Sequence, residues 1–195
     1  NYILMIITLI IYVGMIYNWG VQDNLIGNLN LIKYLLLVPM LLSVFIIDYK
    51  LRIIPDRLNL TMFEIGIVIA FIYGFSNVAI TIDLLLGMLA GGGIFLLMAV
   101  VGNLIYGKDA MGFGDVKFMT ALGLYFGFTN IILISLMAFL LGAIIAIVLI
   151  ICRVKKSSEH IPFGPFIVIS TLICMFVPID VIIGTVRTIF TLGII

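Results

Sequence analysis

Two aspartates stand at the edges of long apolar stretches of this chain. Asp48 closes one hydrophobic run, and Asp115 follows two glycines in the segment Met-Gly-Phe-Gly-Asp-Val-Lys that ends at Lys117. A carboxylate at membrane depth is costly, so such an aspartate is a functional candidate that usually has a partner. Two carboxylates held close together share a proton, because neighbouring like charges cannot both ionise cheaply. One can then activate water while the other, protonated, polarises a carbonyl group, as in aspartic proteases.

Other kinds of catalytic site find little support in the sequence. Cys152 and Cys174 are isolated in apolar runs, and the single histidine, His160, has no clustered ligands. A structural zinc site needs about four ligands of these types. The sequence also shows no phosphate-binding glycine loop and no Ser/His/Asp arrangement. We therefore expect a site that uses neither a metal nor a cofactor.

The composition indicates which elements must carry the two acids. Of the 195 residues, 65% are hydrophobic and 10% are charged, and the mean hydropathy is +1.41. This leaves too little polar surface for a soluble globule. Several apolar runs reach the roughly 20 residues that a membrane-spanning helix needs, and they lack the alternation of β-barrel strands. The sequence predicts an all-α fold, a polytopic helical membrane bundle that forms a single domain over 1–195.

Polar clusters divide the chain into about seven predicted spans. These cover roughly residues 2–18, 31–47, 58–76, 81–106, 113–130, 131–152 and 162–180. We interpret the first run as a span, since it has neither the basic start nor the small-residue cleavage site of a signal peptide. The tail 181–195 is short for a span, so it could lie in the membrane interface or continue the last helix. Gly87 and Gly91 are four residues apart, a spacing typical of close helix packing.

The basic residues predict the orientation of these spans. Eight of the ten Lys and Arg residues fall in three loops on one side of the predicted bundle. They are Lys50, Arg52, Arg57, Lys108, Lys117, Arg153, Lys155 and Lys156. By the positive-inside rule this side is the cytoplasm, which places the N-terminus inside and the tail outside. The formal net charge is only +1, with no extended basic surface away from the membrane, so nucleic-acid binding is not predicted.

Each acid also has a structural interpretation. Gly112 and Gly114 allow tight backbone turns and close approaches, so Asp115 could simply cap a helix. Asp56, directly after Pro55, suits an N-terminal cap or a first-turn acid, and we favour that role for it. We favour catalysis for Asp48 and Asp115, because the predicted topology places both on the cytoplasmic face.

The ensemble of motifs resembles the type IV prepilin peptidase family of GxGD aspartyl proteases. Asp48 is followed, after six residues, by Pro55-Asp56. Next come the GxGD segment ending at Lys117, then Ala121-Leu-Gly123, and finally Ile161-Pro-Phe-Gly-Pro165 after a basic loop. GxGD alone is a weak signal, but here the motifs occur in matching order and spacing. The match covers about residues 40–170, which we take as the peptidase core.

The resemblance implies a specific activity and location. It implies a multi-pass protein of the bacterial cytoplasmic membrane that cleaves prepilin-like precursors after the glycine ending a short basic leader. The precursors of pili, type II secretion pseudopili and competence pili share this leader, and the sequence does not choose among them or indicate an oligomeric state. The family's catalytic pair maps onto Asp48 and Asp115. Asp56 matches a recurrent position outside that pair.

The chain departs from many bacterial members of this family in one respect. Those members also N-methylate the new N-terminus and carry an N-terminal cytoplasmic segment with a tetracysteine zinc site. This sequence shows neither that segment nor those cysteines. N-methyltransferase activity is therefore doubtful.

Three further polar residues each allow two interpretations. Asp109 and Glu159 could attract the basic residues of a leader, although we slightly favour solvated loop charges. Lys117 lies close to Asp115 in sequence, where it could act on that carboxylate or extend toward the membrane interface.

Two alternative functions are less consistent with the sequence. A presenilin or signal-peptide-peptidase relative also uses GxGD, but the Pro-Ala-Leu motif of those families is absent. A proton-coupled transporter would place its acids near the bilayer midplane and contain an inverted repeat. Here the acids fall at the ends of predicted spans, and no repeat is visible.

Overall fold

The described part of the chain is helical throughout. The structure, a computed structural model, describes residues 2–106, 111–152 and 162–190. Within these ranges it has seven helices and no strand. They are α1 (Tyr2–Trp19), α2 (Leu25–Leu51), α3 (Asp56–Ser76), α4 (Val78–Tyr106), α5 (Phe113–Ile151), α6 (Gly164–Phe176) and α7 (Ile179–Phe190). The predicted all-α class is confirmed.

Most of these helices are suited to a bilayer. Within the described ranges, α2, α3, α4 and α5 are each long and apolar enough to cross a membrane. Helices α6 and α7 would add a fifth span if counted as one bent unit, and α1 is a shorter apolar helix. The chain is therefore a multi-pass membrane protein, whereas the predicted number of seven spans is not confirmed.

Helix α5 is interrupted at Gly127, where the chain reverses direction. Gly127 has φ 76° and ψ −179°, a conformation that glycine adopts readily and other residues do not. Packing on α4 reveals the reversal, because a Cβ built on Gly91 would lie 2.5 Å from the Met119 carbonyl oxygen and 3.0 Å from Ile131 Cγ1. In a straight helix these two residues would be about 18 Å apart. The first arm of α5 therefore runs toward Gly127 and the second arm returns beside it.

The position of this reversal corrects one predicted boundary. The sequence divided this region into spans 113–130 and 131–152, with a turn near residues 129–130. The break lies at Gly127 instead, because Asp83 of α4 accepts a hydrogen bond from the Phe128 backbone N–H at 3.2 Å. Asp83 thus caps the start of the second arm.

The C-terminal helices also differ from the predicted span over 162–180. Helix α6 ends at Phe176, and Val177 is extended before Pro178. Proline disfavours a helical conformation in the residue before it, which explains the break. Helix α7 then leaves at an angle of 116° to α6, so the described part of the tail does not continue the preceding helix.

Close backbone packing fixes α4 against the first arm of α5. A Cβ on Gly87 would lie 2.6 Å from the Gly123 carbonyl oxygen and 2.5 Å from the Gly127 carbonyl carbon. These helices can approach so closely only because the facing residues lack side chains. Small residues at 87 and 91 form the packing surface that their spacing predicted. Helix α6 in turn packs on both α2 and α5, which brings together the helices that carry Asp48 and Asp115.

Candidate active site

Asp48 and Asp115 line the same cavity. Asp48 lies in the last turn of α2 and Asp115 in the first turn of α5, and their exposed fractions are 4% and 9%. The cavity has a volume of about 350 Å³ and is also lined by Gly112, Gly114 and Phe163. The fold thus brings together the two acids that the sequence singled out.

The Asp48 carboxylate is held by the first residue of α6. The backbone N–H of Gly164 donates a buried hydrogen bond of 2.8 Å to Asp48 Oδ2. A Cβ on Gly164 would lie 2.6 Å from this oxygen and 3.0 Å from Asp48 Cγ, so the contact requires glycine. Pro165 follows at the start of the helix, a position that proline favours. A helix N-terminus with unpaired N–H groups is a natural site for a carboxylate.

The two glycines of the GxGD segment allow close contacts rather than unusual backbone angles. Among the described glycines, only Gly20 and Gly127 have positive φ values. A Cβ on Gly112 would lie 3.4 Å from Asp115 Oδ2, and one on Gly114 would lie 3.3 Å from Ile54 Cβ. Small residues here let the segment pack against the loop after α2. Asp115 lies within the first turn of α5, not before it, and its N–H donates to the Gly112 carbonyl oxygen at 3.1 Å.

Asp56 and Lys117 form an ion pair at the edge of the cavity. Lys117 Nζ lies 2.7 Å from Asp56 Oδ1, and the side chains are 42% and 75% exposed, respectively. Asp56 is a first-turn acid of α3, as we expected, while Pro55 occupies the capping position. The sequence had suggested that Lys117 acts electrostatically on Asp115 or extends toward the membrane interface. In the structure its direct partner is Asp56. Both residues of the pair line the cavity.

Comparison with known proteins connects this arrangement to a family. The type IV leader peptidase family matches residues 35–147, which include Asp48 and the whole GxGD segment. This chain belongs to the type IV leader peptidase family. The resemblance inferred from the motifs is therefore confirmed.

Individual relatives are similar over most of the chain. A prepilin leader peptidase/N-methyltransferase of Aeromonas hydrophila is 32% identical over 141 residues, which is 72% of this chain and 48% of that protein. A protein of the same description from Legionella pneumophila is 34% identical over 152 residues, or 76% of this chain and 51% of that protein. The chain thus spans about half the length of the curated relatives it matches. No solved structure matches it.

Two features of this candidate site were missed by sequence reasoning. Gly164 was noted only as part of a family segment, although a glycine before proline at a helix start was an available signal. Arg52 was counted only as a basic loop residue, but it ends α2 in a left-handed conformation with φ 56°. That conformation costs a non-glycine residue about 1–2 kcal/mol. Its N–H donates to the Asp48 carbonyl oxygen at 2.8 Å, which turns the chain directly after Asp48.

Some predicted site residues lie outside the described ranges. Asp109 and Glu159, the candidate leader contacts, are among them. Within residues 2–106, 111–152 and 162–190, no three His, Cys, Asp or Glu side chains form a group that could hold a metal ion. The expectation of a site without metal or cofactor stays a prediction.

Proposed function

We propose that this protein is an aspartic endopeptidase that removes the short basic leader from type IV prepilin-like proteins, cleaving after glycine. The observation that carries the proposal is the pair of buried aspartates, Asp48 and Asp115, facing one cavity in a member of the leader peptidase family. Its substrates would be the precursors of pili, type II secretion pseudopili or competence pili.

The reaction needs only the two carboxylates and a water molecule. One carboxylate accepts a proton from water while the water oxygen attacks the carbonyl carbon of the scissile peptide bond. The other, protonated, donates a hydrogen bond to the carbonyl oxygen and stabilises the developing negative charge. Collapse of the tetrahedral intermediate breaks the C–N bond, and the departing amine takes up the proton that the first carboxylate accepted from water. The pair titrates as a unit, so the starting proton belongs to both residues.

The positions of the acids in their helices support a peptidase over a transporter. Asp48 is in the last turn of α2, and Asp115 is in the first turn of α5. Helix ends of apolar spans lie near the membrane boundary, where both water and a soluble leader are available. The excess of Lys and Arg in the adjacent loops supports our proposal that this boundary faces the cytoplasm at the inner membrane, with the N-terminus inside.

The decisive experiment is cleavage of a purified type IV prepilin by the purified protein in liposomes. We expect a product whose mass corresponds to cleavage after the leader glycine, and the same spectrum reports any methylation of the new N-terminus. Asp48→Asn and Asp115→Asn should each abolish cleavage, because an amide can neither accept the proton from water nor supply one.

Both variants should remain folded and inserted, since asparagine preserves the shape of aspartate. Asp23→Asn provides the control, as Asp23 is an exposed carboxylate in the loop before α2. Robust processing by either active-site variant would refute the mechanism.

A further inference from the structure

A second cavity adjoins the one lined by Asp48 and Asp115, which we call the catalytic cavity. It has a volume of about 430 Å³ and lies between α3 and the first arm of α5, with Asn59, Leu60, Phe63 and Thr120 in its walls. Asp56 and Lys117 line both this cavity and the catalytic one. We call it the α3–α5 groove. A segment bound in the groove would therefore pass directly into the space beside Asp48 and Asp115.

Asn59 connects the groove to the GxGD segment. Its side chain is 4% exposed, and Nδ2 donates a hydrogen bond to the Gly114 carbonyl oxygen at 3.3 Å. Its Oδ1 atom is buried without a hydrogen-bond partner among the described residues. Leaving such an oxygen unsatisfied is costly, so native structures rarely retain one without a reason. Most of the groove surface is apolar, although Asp56, Arg57 and Lys117 also line it. Asn59 therefore favours a ligand that adds a hydrogen-bond donor to an apolar body.

We propose that the α3–α5 groove binds the apolar segment of the substrate next to the scissile bond, and that Asn59 Oδ1 accepts a backbone N–H from it. This inference rests on the proposed peptidase function. An apolar segment within a bilayer must be helical, and the first four N–H groups of a helix have no intrahelical partner. A substrate helix that begins beside the catalytic cavity brings such donors to Asn59. A lipid acyl chain fills apolar space equally well but donates no hydrogen bond.

A second apolar groove on the opposite side of α3 provides a comparison. It lies between α2 and α3, has a volume of about 370 Å³ and includes Leu36, Val68 and Ile72 in its walls. Among the described residues, none lines both this groove and the catalytic cavity. Val68 and Leu60 belong to the same helix, and both are 57% exposed. Leu60 and Val68 therefore form a matched pair, of which only Leu60 lines the groove that adjoins the catalytic cavity.

Tryptophan substitutions at these two positions test the groove. We expect Leu60→Trp to raise KM for a purified type IV prepilin in liposomes by about tenfold, corresponding to about 1.4 kcal/mol of lost binding, with kcat within about twofold. Val68→Trp should match the wild type in both constants. A wild-type KM for Leu60→Trp would overturn the inference and leave the peptidase function intact. Failure of the wild-type protein to cleave prepilin would instead overturn the function on which it rests.

Crosslinking gives a readout that does not depend on catalysis. Leu60→Cys, in an Asp115→Asn background with Cys152 and Cys174 replaced by serine, should crosslink to a prepilin that carries one cysteine in its apolar segment close to the cleavage site. Val68→Cys in the same background should not. Equal crosslinking at both positions, or none at Leu60→Cys, would indicate that the groove holds lipid only.

Discussion

Replacing Gly164 with alanine tests how the fold holds Asp48. The new methyl group would lie 2.6 Å from Asp48 Oδ2, whereas ordinary van der Waals contact begins at 3.4 Å, so the carboxylate must retreat by roughly 0.8 Å. That movement lengthens or breaks the 2.8 Å hydrogen bond from the Gly164 N–H. Asp48 would then occupy a different position relative to Asp115 and to the attacking water.

The expected loss of rate follows from these distances. A buried hydrogen bond to a carboxylate contributes about 1–3 kcal/mol, and each 1.36 kcal/mol added to the barrier slows a reaction tenfold. A misplacement of about 1 Å can by itself cost on the order of 100-fold. We therefore expect Gly164→Ala to lower kcat by about 5- to 150-fold with little change in KM, since the substitution lies in the catalytic cavity and not in the α3–α5 groove.

The assay compares initial rates of prepilin cleavage for purified variants in the same liposomes, with melting temperatures measured in parallel. Gly93→Ala is the matched control, because a Cβ at this α4 position meets no atom of the described residues within 4 Å. It should retain the wild-type rate. A wild-type kcat for Gly164→Ala would refute the argument that this contact positions Asp48, whereas low activity that merely followed a lower melting temperature would indicate a folding defect.

Three further predictions concern other parts of the chain. Gly87→Val should lower the free energy of unfolding by about 1–3 kcal/mol or more in a denaturant titration, because the side chain would overlap the backbone of α5 at Gly123; unchanged stability would contradict the close packing. Lys117→Ala should change stability by less than about 1 kcal/mol, as expected for an exposed ion pair, and a larger loss would show that the pair is better shielded than it looks. Reversing Asp109 and Glu159 together to lysine should leave processing of a basic-leader prepilin unchanged if they are solvated loop charges, while a selective rise in KM would assign them to leader binding.

The sequence was informative where the relevant signal is local. Run length and composition are sufficient to predict apolar helices, because a helix satisfies its own backbone hydrogen bonds within one segment. The acids at 48 and 115 were recognisable because a charge at the edge of an apolar run is unusual. The small residues at Gly87 and Gly91 likewise predicted a packing surface from spacing alone. None of these conclusions required knowing which helices are neighbours.

The predictions from sequence were less accurate where a residue far away in the chain selects one of several possible local conformations. The turn within α5 could have formed at any of several glycine or polar positions between 123 and 130. Asp83 of α4 selects Gly127, because its carboxylate caps the Phe128 N–H and leaves no room for a side chain on the residue before it. The end of α6 differs in kind, because its signal is local: Pro178 disfavours a helical conformation at Val177. Only the direction of α7, at 116° to α6, depends on the tertiary structure.

The residues alone were enough to predict an all-α membrane protein with two candidate catalytic carboxylates and the motifs of the type IV leader peptidase family. The packing of the helices was needed to show that Asp48 and Asp115 face one cavity, and that Gly164, 116 positions after Asp48, holds its carboxylate. A charged residue at the edge of an apolar run can be recognised from a short stretch of sequence, because burying a charge is costly and such positions are rare. The contacts that orient that charge come from helices that meet only when the whole chain has packed.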